Sequence, residues 1–453
     1  MYWRRLGLAL AGLLAAGRAW AGQASPELDS LMEACRAQYH IPGLAACVVK
    51  GEDVAWFGAY GYARIEDSVE TAPTTVFDLA SVSKTATAVC LMQLWEQGRF
   101  GLDDNVSDYL PFPVRHSGYP DSAITFRMLL THTSGIVDYW PTFERLQRQG
   151  DPDVALRAFV EGYLVPGGEF YDSLRNFSSM PPGVAYRYSN LGIALAGYLV
   201  EALSDSFHRY AQENLFLPLG MTRTAWYFRD LDTNGMAMPY HFNGSGYARY
   251  GHQSLPDVPA GTLKSSCLQL GRFVAAMLNF GARHGVRVLD SATSVLMTTQ
   301  QHASGVGLVW HRTQIGGREF WGHGGAWNGI STRIGFCREE RVGMVVLANA
   351  DGVGGVIEGI VLPALLDWAG TAIAEPPASE PLSGRLPALA HGVLDIPDCA
   401  QPGPALLDLN GRLVRRLQPG RNCVTDLAPG CYFVLGVARQ AQRIVLLPAA
   451  AAR

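Results

Sequence analysis

Ser81 and Lys84 are the residues of this chain whose types and spacing most directly suggest chemistry. They lie three residues apart in the apolar stretch FDLASVSKTATAV. If a helix begins at Ser81, Lys84 lies one turn along on the same face. A hydroxyl beside an amine whose pKa is lowered by burial or by a nearby cation is a nucleophile with its own general base.

The lysine at position 84 is informative because the chain otherwise favours arginine. Of 36 Lys plus Arg residues, three are lysines, and neither Lys50 nor Lys264 has a serine three residues before it. Arginine stays protonated in proteins, whereas lysine can act as a base. By itself the pair also fits a capped helix with a snorkelling lysine, because chance gives roughly one such motif in a chain of this length.

Two later segments contain polar residues that could complete a site. In YRYSNLG, Tyr188 and Asn190 are two residues apart, so their side chains point the same way in an extended segment. Tyr188 could shuttle a proton, and Asn190 could hydrogen-bond a substrate amide. An aromatic packing residue and a helix cap are the alternative roles of these two. In WGHGGAWNG, His323 could donate to a substrate carboxylate or carbonyl, and the glycines let a substrate lie against the strand.

The motifs S-x-x-K, Y-x-N and H-x-G, in this order, resemble those of the serine β-lactamase and penicillin-binding protein superfamily. The chain is most similar to the class C β-lactamase-related branch. The phrases MLLTHTSGI, LPLGMTRT and GMVVLANADG agree, and the resemblance runs from about Pro26 to Trp368. A second H-x-G, at His116-Ser117-Gly118, precedes the tyrosine motif and is therefore out of order.

The resemblance implies a catalytic role for three residues. Ser81 would be the acylated nucleophile, and Lys84 and Tyr188 would form the proton-transfer system. Which of the two takes the first proton stays open. Neither a metal nor another cofactor is implied.

The resemblance also implies the residues that bind substrate. Asn190 would orient the substrate, and His323 takes the place of the lysine of the third motif. The oxyanion hole would use the backbone N–H groups of Ser81 and Ala326, the latter directly after Gly325.

The histidine of the third motif departs from true class C β-lactamases. A lysine there supplies a permanent cation for the carboxylate of a β-lactam, whereas a histidine is largely uncharged near neutral pH. Taken together, the three motifs and this resemblance imply a serine hydrolase that forms an acyl-enzyme with a small-molecule or peptide substrate. It could be an esterase, a D-amino-acid peptidase or carboxypeptidase, or a weak β-lactamase. The alternative is a non-catalytic or very slow penicillin- or peptidoglycan-binding sensor.

Strand and helix signals indicate which elements position these residues. The segment GLAACVVKGEDVAWFGAYGYA predicts two strands joined by a polar turn, and helices are predicted over residues 83–97 and 191–203. Strand patterns then recur in GVGLVWH, EFWGHGG, GISTRIGFC and RVGMVVLANA, before a helix over about 353–368. The prediction is an α/β fold of the α+β sandwich type. Its antiparallel sheet comes from both ends of the domain, with flanking helices and a helical subdomain, as in β-lactamases and transpeptidases.

The first residues predict export. Two arginines precede an apolar run of 11 residues, and Ala19-Trp20-Ala21 matches a cleavage site, so residues 1–21 are predicted to be a signal peptide. The run is shorter than the roughly 20 residues that span a bilayer. A permanent anchor is the alternative. We expect a periplasmic, cell-surface or secreted protein, with no stable membrane span after cleavage.

The remaining chain divides into three parts. Residues 22–372 form the hydrolase domain, and the proline-rich residues 373–392 predict a linker. Residues 393–453 predict a small all-β module around an Asn410-Gly411 hairpin turn. Its D-L-N-G-R, A-P-G-x-Y-F-V and R-I-V-L pieces resemble type IX secretion sorting domains, which would make the secretion machinery a partner. The alternative is a β appendage that shields or oligomerises the enzyme.

Charge and cysteine spacing exclude other classes. A net charge of −4 gives no case for binding nucleic acid. The eight cysteines include no C-x-x-C and no zinc-like cluster with histidine. Cys47, Cys90 and Cys337 lie in apolar runs and are predicted to be buried free thiols.

Overall fold

The computed structural model describes residues 25–371 and several strands beyond them. The later residues described are 389–390, 393–396, 405–407, 413–418, 420–424, 430–435 and 442–446. The chain divides into two compact units, Met1–Ile373 and Ala374–Arg453. The predicted signal peptide, residues 373–388 of the predicted linker and the Asn410-Gly411 turn lie outside the described residues.

The strands of the first unit number fifteen among the described residues. They are β1 Gly43–Lys50, β2 Asp53–Arg64, β3 Val69–Glu70, β4 Val76–Asp78, β5 Arg148–Gln149, β6 Tyr240–Phe242, β7 Tyr247–Arg249, β8 Gln253–Ser254, β9 Lys264–Ser266, β10 Ala282–Arg283, β11 Val286–Arg287, β12 His311–Ile315, β13 Arg318–Trp327, β14 Ile330–Cys337 and β15 Val342–Ala348.

The helices of this unit lie mainly between β3 and β12. They are α1 Pro26–Gln38, α2 Ser83–Glu96, α3 Phe126–Leu130, α4 Trp140–Leu146, α5 Leu156–Leu164, α6 Asn190–Ser204, α7 Phe207–Ala211, α8 Val258–Gly261, α9 Cys267–Leu278, α10 Ser291–Met297, α11 Gly354–Val356 and α12 Leu362–Thr371. Gln212–Phe216 and Ile357–Val361 are π-helical turns.

A seven-stranded antiparallel sheet with the order β12-β13-β14-β15-β1-β2-β3 forms the centre of the unit. The predicted fold class is confirmed, because β1 pairs with β2 on one side and with β15 on the other. Leu44 of β1 lies opposite Ala348 of β15, which joins the two ends of the chain.

Alternate side chains of β1 enter two separate hydrophobic cores, as the two faces of a strand require. Ala45, Cys47 and Val49 pack into the larger core, which includes α2, α6 and α9. Their neighbours Leu44, Ala46 and Val48 pack into the smaller core with residues of α1 and α12. The sheet is therefore covered by helices on both faces.

The strand predicted for GVGLVWH is wrong, because β12 begins only at its last residue, His311. The preceding residues turn sharply, with Val309 at φ 72°. Leu308, Val309 and Trp310 are nevertheless fully buried in the larger core. The apolar run therefore reflects a loop that fills the core, not a pleated strand.

The helix α2 runs through the interior, with all residues from Ser83 to Leu94 buried. A helix that is apolar on every side is typical of the core of a large domain. It packs against α6 and α8. The residues at its N-terminus are thereby held between the sheet and the helical region.

The described part of the second unit consists of strands. They are β16 Leu389–Ala390, β17 Val393–Ile396, β18 Ala405–Leu407, β19 Leu413–Arg416, β20 Gly420–Cys423, β21 Gly430–Leu435 and β22 Gln442–Leu446. Five form a sheet of order β16-β22-β21-β18-β19, and β17 pairs with β20. Leu389–Ala390, assigned above to the linker, form the edge strand beside β22.

Within residues 25–371 and the later residues that the structure describes, no helix has both the length and the apolar character needed to cross a membrane. Cys47, Cys90 and Cys337 are buried free thiols, as predicted.

Candidate active site

Ser81 lies in a strained turn at the entrance to α2. The helix predicted over residues 83–97 is confirmed as α2, and Ser81 lies just before it in a 3₁₀ turn formed by Ala80–Val82. Ala80 has φ 47°, a left-handed conformation that costs a residue with a side chain on the order of 1–3 kcal/mol. Thr332 of β14 holds the turn by donating to the carbonyl of Leu79 at 2.8 Å. The neighbouring sheet therefore fixes the position of the serine.

Lys84 is fully buried and points back to Ser81. Its Nζ donates to Ser81 Oγ at 2.9 Å and to the carbonyl oxygen of Ala260 at 2.7 Å. Since Ala260 belongs to α8, a contact across 176 residues orients the lysine. The predicted pair of hydroxyl and amine is thus in hydrogen-bonding contact.

Tyr188 and Asn190 lie at the start of α6, and both line a cavity that Ser81 also lines. The Tyr188 ring centroid is 5.0 Å from Nζ of Lys84, and the side chain is 39% exposed. Asn190 is buried and lines the cavity beside Ser81. Ser189 between them caps the helix, because its Oγ accepts from the amide of Gly192.

Asp138 holds this motif in place, although no motif in the sequence predicted a role for it. Its carboxylate accepts from the Ser189 hydroxyl at 3.0 Å and from the amides of Asn190 at 2.7 Å and Leu191 at 3.0 Å. These bonds satisfy donors at the N-terminus of α6 that would otherwise lack partners. Burial raises the pKa of Asp138, and the bonds from the helix oppose that shift.

His323, Gly325 and Ala326 lie on β13, which passes beside the serine turn. A Cβ on Gly325 would collide with the Leu79 carbonyl oxygen and would lie 3.2 Å from the backbone nitrogen of Ser81. The glycine is therefore required for close approach of the strand. Ala326 lines the cavities together with Ser81.

His323 is buried, and its Nδ1 lies 2.7 Å from the Gly324 carbonyl oxygen, so Nδ1 carries the proton. Burial lowers its pKa well below the usual range, and His311 and Lys84 add to the effect. Burial likewise lowers the pKa of His311, whose ring centroid is 5.1 Å away, to about 4. The imidazole of the third motif is therefore neutral.

Two cavities meet at Ser81, Tyr188 and Ala326. The first, of about 320 Å³, extends past Asn190. The second, of about 390 Å³, extends past His323. A substrate whose reacting carbonyl lies at the serine can therefore occupy one cavity on each side.

Three aspartates line the first cavity, namely Asp78, Asp138 and Asp257. None of the three belongs to a motif that the sequence predicted. Asp78 lies 3.8 Å from Nζ of the buried Lys264. Asp257 directly precedes α8, in a segment whose sequence carries no catalytic motif. The wall of this cavity therefore contains more acidic residues than the three sequence motifs predict.

A family model described as Beta-lactamase matches residues 28–359. The curated Protein flp of Staphylococcus aureus (strain NCTC 8325 / PS 47) is 25% identical over 327 residues, which are 71% of this chain. The chain spans 62% of the length of that relative.

Solved structures share the fold of this chain. A class C β-lactamase from Rhodobacter sphaeroides is 21% identical with a TM-score of 0.58, and the match covers 77% of this chain and all of the other. The D-amino acid amidase from Ochrobactrum anthropi SV3 is 20% identical with a TM-score of 0.61, over 76% of this chain and 99% of the amidase.

Proposed function

The chain belongs to the β-lactamase family of serine hydrolases, which act through an acyl-enzyme, and on that premise we propose that it hydrolyses small esters or amides by acylation of Ser81. The observation that carries the proposal is the 2.9 Å hydrogen bond from Lys84 Nζ to Ser81 Oγ, at the junction of two cavities. Nucleophile and base within hydrogen-bond reach are the signature of an activated serine.

In the proposed reaction, Ser81 Oγ attacks the substrate carbonyl carbon while its proton passes to Lys84, directly or through Tyr188. The carbonyl oxygen becomes an oxyanion, which the N–H groups of Ser81 and Ala326 stabilise. Collapse of the intermediate breaks the bond to the leaving group, which takes the proton. Water then attacks the acyl-enzyme, with the same groups acting as base and acid, and releases the carboxylic acid.

The charges around the second cavity favour esters and amides over β-lactams. His323 is neutral for the reasons given above. Arg333 nearby is paired with Glu358 at 2.8 Å, so its charge is compensated. A substrate carboxylate would therefore find no free cation there, and antibiotic hydrolysis should be slow. The fold of the D-amino acid amidase supports an amide among the substrates.

We also propose that the enzyme acts outside the cytoplasm. The basic residues, the 11-residue apolar run and the Ala-x-Ala site at the N-terminus support this proposal. The tail motifs of residues 393–453 support export by a type IX secretion machinery. Fractionation of the native host, with detection of a chain cut after Ala21, would test it.

The first experiment compares wild type, Ser81→Ala and the control Ser117→Ala with p-nitrophenyl acetate, nitrocefin and a D-Ala-D-Ala peptide. Ser117 belongs to the out-of-order H-x-G and lies outside both cavities. We expect turnover of the ester to be lost in Ser81→Ala and kept in Ser117→Ala. Intact mass should show an acyl adduct only where Ser81 is present.

Two results would contradict the proposal. Turnover that persists in Ser81→Ala would assign the nucleophile elsewhere. An adduct that forms with β-lactam but never releases product, with no ester or amide turned over, would support the sensor.

A further inference from the structure

Among the aspartates of the first cavity, Asp257 has the fewest polar contacts to its carboxyl group. Its side chain is 2% exposed, and its Oδ1 has no hydrogen-bond partner among the described residues. The other two carboxyls differ. Asp138 accepts three hydrogen bonds. Asp78 also has an oxygen, Oδ2, without a hydrogen-bond partner, but it lies 3.8 Å from Nζ of Lys264 and 3.7 Å from Nδ1 of His252. A buried carboxyl oxygen without a donor is unfavourable unless something else supplies one.

Local structure does not account for Asp257. It occupies the N-cap position of α8, but its side chain makes no capping hydrogen bond. No ion pair to Asp257 within 4.0 Å is present in the described part of the chain. Burial raises the pKa of Asp257 to about 7, against the effect of the Lys84 cation. The group therefore weakens the fold where it lies, which is typical of residues kept for binding.

The surroundings of Asp257 define what it could bind. Lys84 is already committed to Ser81 and Ala260. Trp140 and Trp327, which line the same cavity, stack with ring centroids 5.6 Å apart. A carboxyl with free acceptor capacity, in a cavity that also contains aromatic rings, suits a compact N–H cation on an apolar group.

We propose that Asp257 binds the ammonium group of the substrate, so that the enzyme prefers esters and amides of amino acids whose amine is free. The inference rests on the proposed hydrolysis at Ser81 and names its substrate class. The ammonium lies in the first cavity, and the bond to be cleaved lies at the junction. An acylated amine carries no charge and offers one donor, so it loses this contact.

The test measures kcat/KM for alanine p-nitroanilide, in both enantiomers, with the amine free or acetylated. The proteins are the wild type, Asp257→Asn and the control Asp153→Asn, which removes an exposed carboxylate paired with Arg148. We expect wild type to favour the free amine of one enantiomer by at least about tenfold, the size of one charged hydrogen bond. Asp257→Asn should lose most of that preference through slower cleavage of the free amine, and Asp153→Asn should keep it.

Three outcomes would overturn the inference. They are equal rates on free and acetylated anilides in wild type, an equal drop on both in Asp257→Asn, and no cleavage of either. Turnover of p-nitrophenyl acetate shows, in each case, whether the proposed hydrolysis still stands.

If the Asp257→Asn variant does not fold, a measurement on wild type alone still tests the inference. Alanine amide and N-acetylalanine amide are compared as competitive inhibitors of p-nitrophenyl acetate hydrolysis. We expect the free amine to inhibit at about tenfold lower concentration. Equal inhibition would overturn the inference.

Discussion

At the scale of single residues, the position of Lys84 explains why lysine occurs there in an arginine-rich chain. Its Nζ lies between Ser81 Oγ and the Ala260 carbonyl, and the side chain is fully buried. A planar guanidinium has more N–H donors than these two acceptors can satisfy. A group that must release and accept a proton also excludes arginine.

We predict that Lys84→Arg lowers the rate of acylation by about 10²-fold or more, because a guanidinium stays protonated and cannot accept the proton of Ser81. Stopped-flow measurement of p-nitrophenol release would check this. Lys50→Arg, a change of the same type at a position outside the cavities, should leave the rate unaltered. An active Lys84→Arg would assign the base to Tyr188 alone.

The neutral imidazole of His323 leads to a second prediction. His323→Lys introduces a cation beside the second cavity, and a substrate carboxylate should then bind better. We expect the ratio of nitrocefin to p-nitrophenyl acetate turnover to rise by about tenfold, as for one added charged contact. His323→Gln, which adds no charge, is the matched comparison. The explanation of substrate preference fails if both variants shift the ratio equally.

Asp257 should also influence stability, with a sign that follows from its pKa. The folded value of about 7 lies above the usual value of 3.8, so the folded state binds the proton more tightly. Stability from this group is therefore present at low pH and lost as pH rises from about 4 to about 7. Asp257→Asn removes that loss, so the variant should be more stable than wild type at pH 8 and not at pH 4.

Thermal unfolding at both pH values checks this prediction. We expect a Tm gain of at least about 2 °C at pH 8. Asp153→Asn should show no such gain at either pH. A gain of equal size at both pH values would show that the effect of Asp257→Asn is not electrostatic.

At the scale of elements, the N-terminus of α6 joins stability to activity. Asp138 holds three donors there, and the Tyr-x-Asn motif begins one residue before them. The strained turn at Ala80 is similarly held by β14 and β13 from outside. Catalytic geometry therefore depends on contacts between elements that are distant in sequence.

We predict that Asp138→Ala destabilises the fold by about 1–3 kcal/mol and lowers kcat/KM for p-nitrophenyl acetate, because the buried donors of α6 lose their acceptor. Urea unfolding and steady-state kinetics measure the two effects. Ser206→Ala removes a comparable cap from α7, where the hydroxyl accepts from Arg209. The Ser206→Ala variant should be less stable and equally active. If it lost as much activity as Asp138→Ala, the positioning role of Asp138 would be contradicted.

At the scale of the whole molecule, the catalytic unit has its own cores. The residues of both large hydrophobic clusters lie between Leu28 and Ala369. The strands from Leu389 onward belong to the second compact unit. Stability of the first unit should therefore not require the second.

A chain that ends at Ile373 is accordingly predicted to fold and to retain kcat/KM for p-nitrophenyl acetate within about twofold of the full chain, since each unit is compact by itself. Circular dichroism and activity, compared with the full-length protein, test this. An insoluble or inactive truncation would show that the tail supports the catalytic unit.

The amino-acid sequence was sufficient to predict the three motifs, their order and the antiparallel sheet. These follow from spacing and alternation, which are local properties of the chain. It did not determine that Asp138 and Asp257 line the same cavity as Ser81, nor that GVGLVWH is a buried loop. Those facts depend on which distant segments pack together, and only the tertiary structure brings α6, α8 and β13 around the serine. The burial that makes His323 neutral is likewise a product of packing, not of sequence spacing.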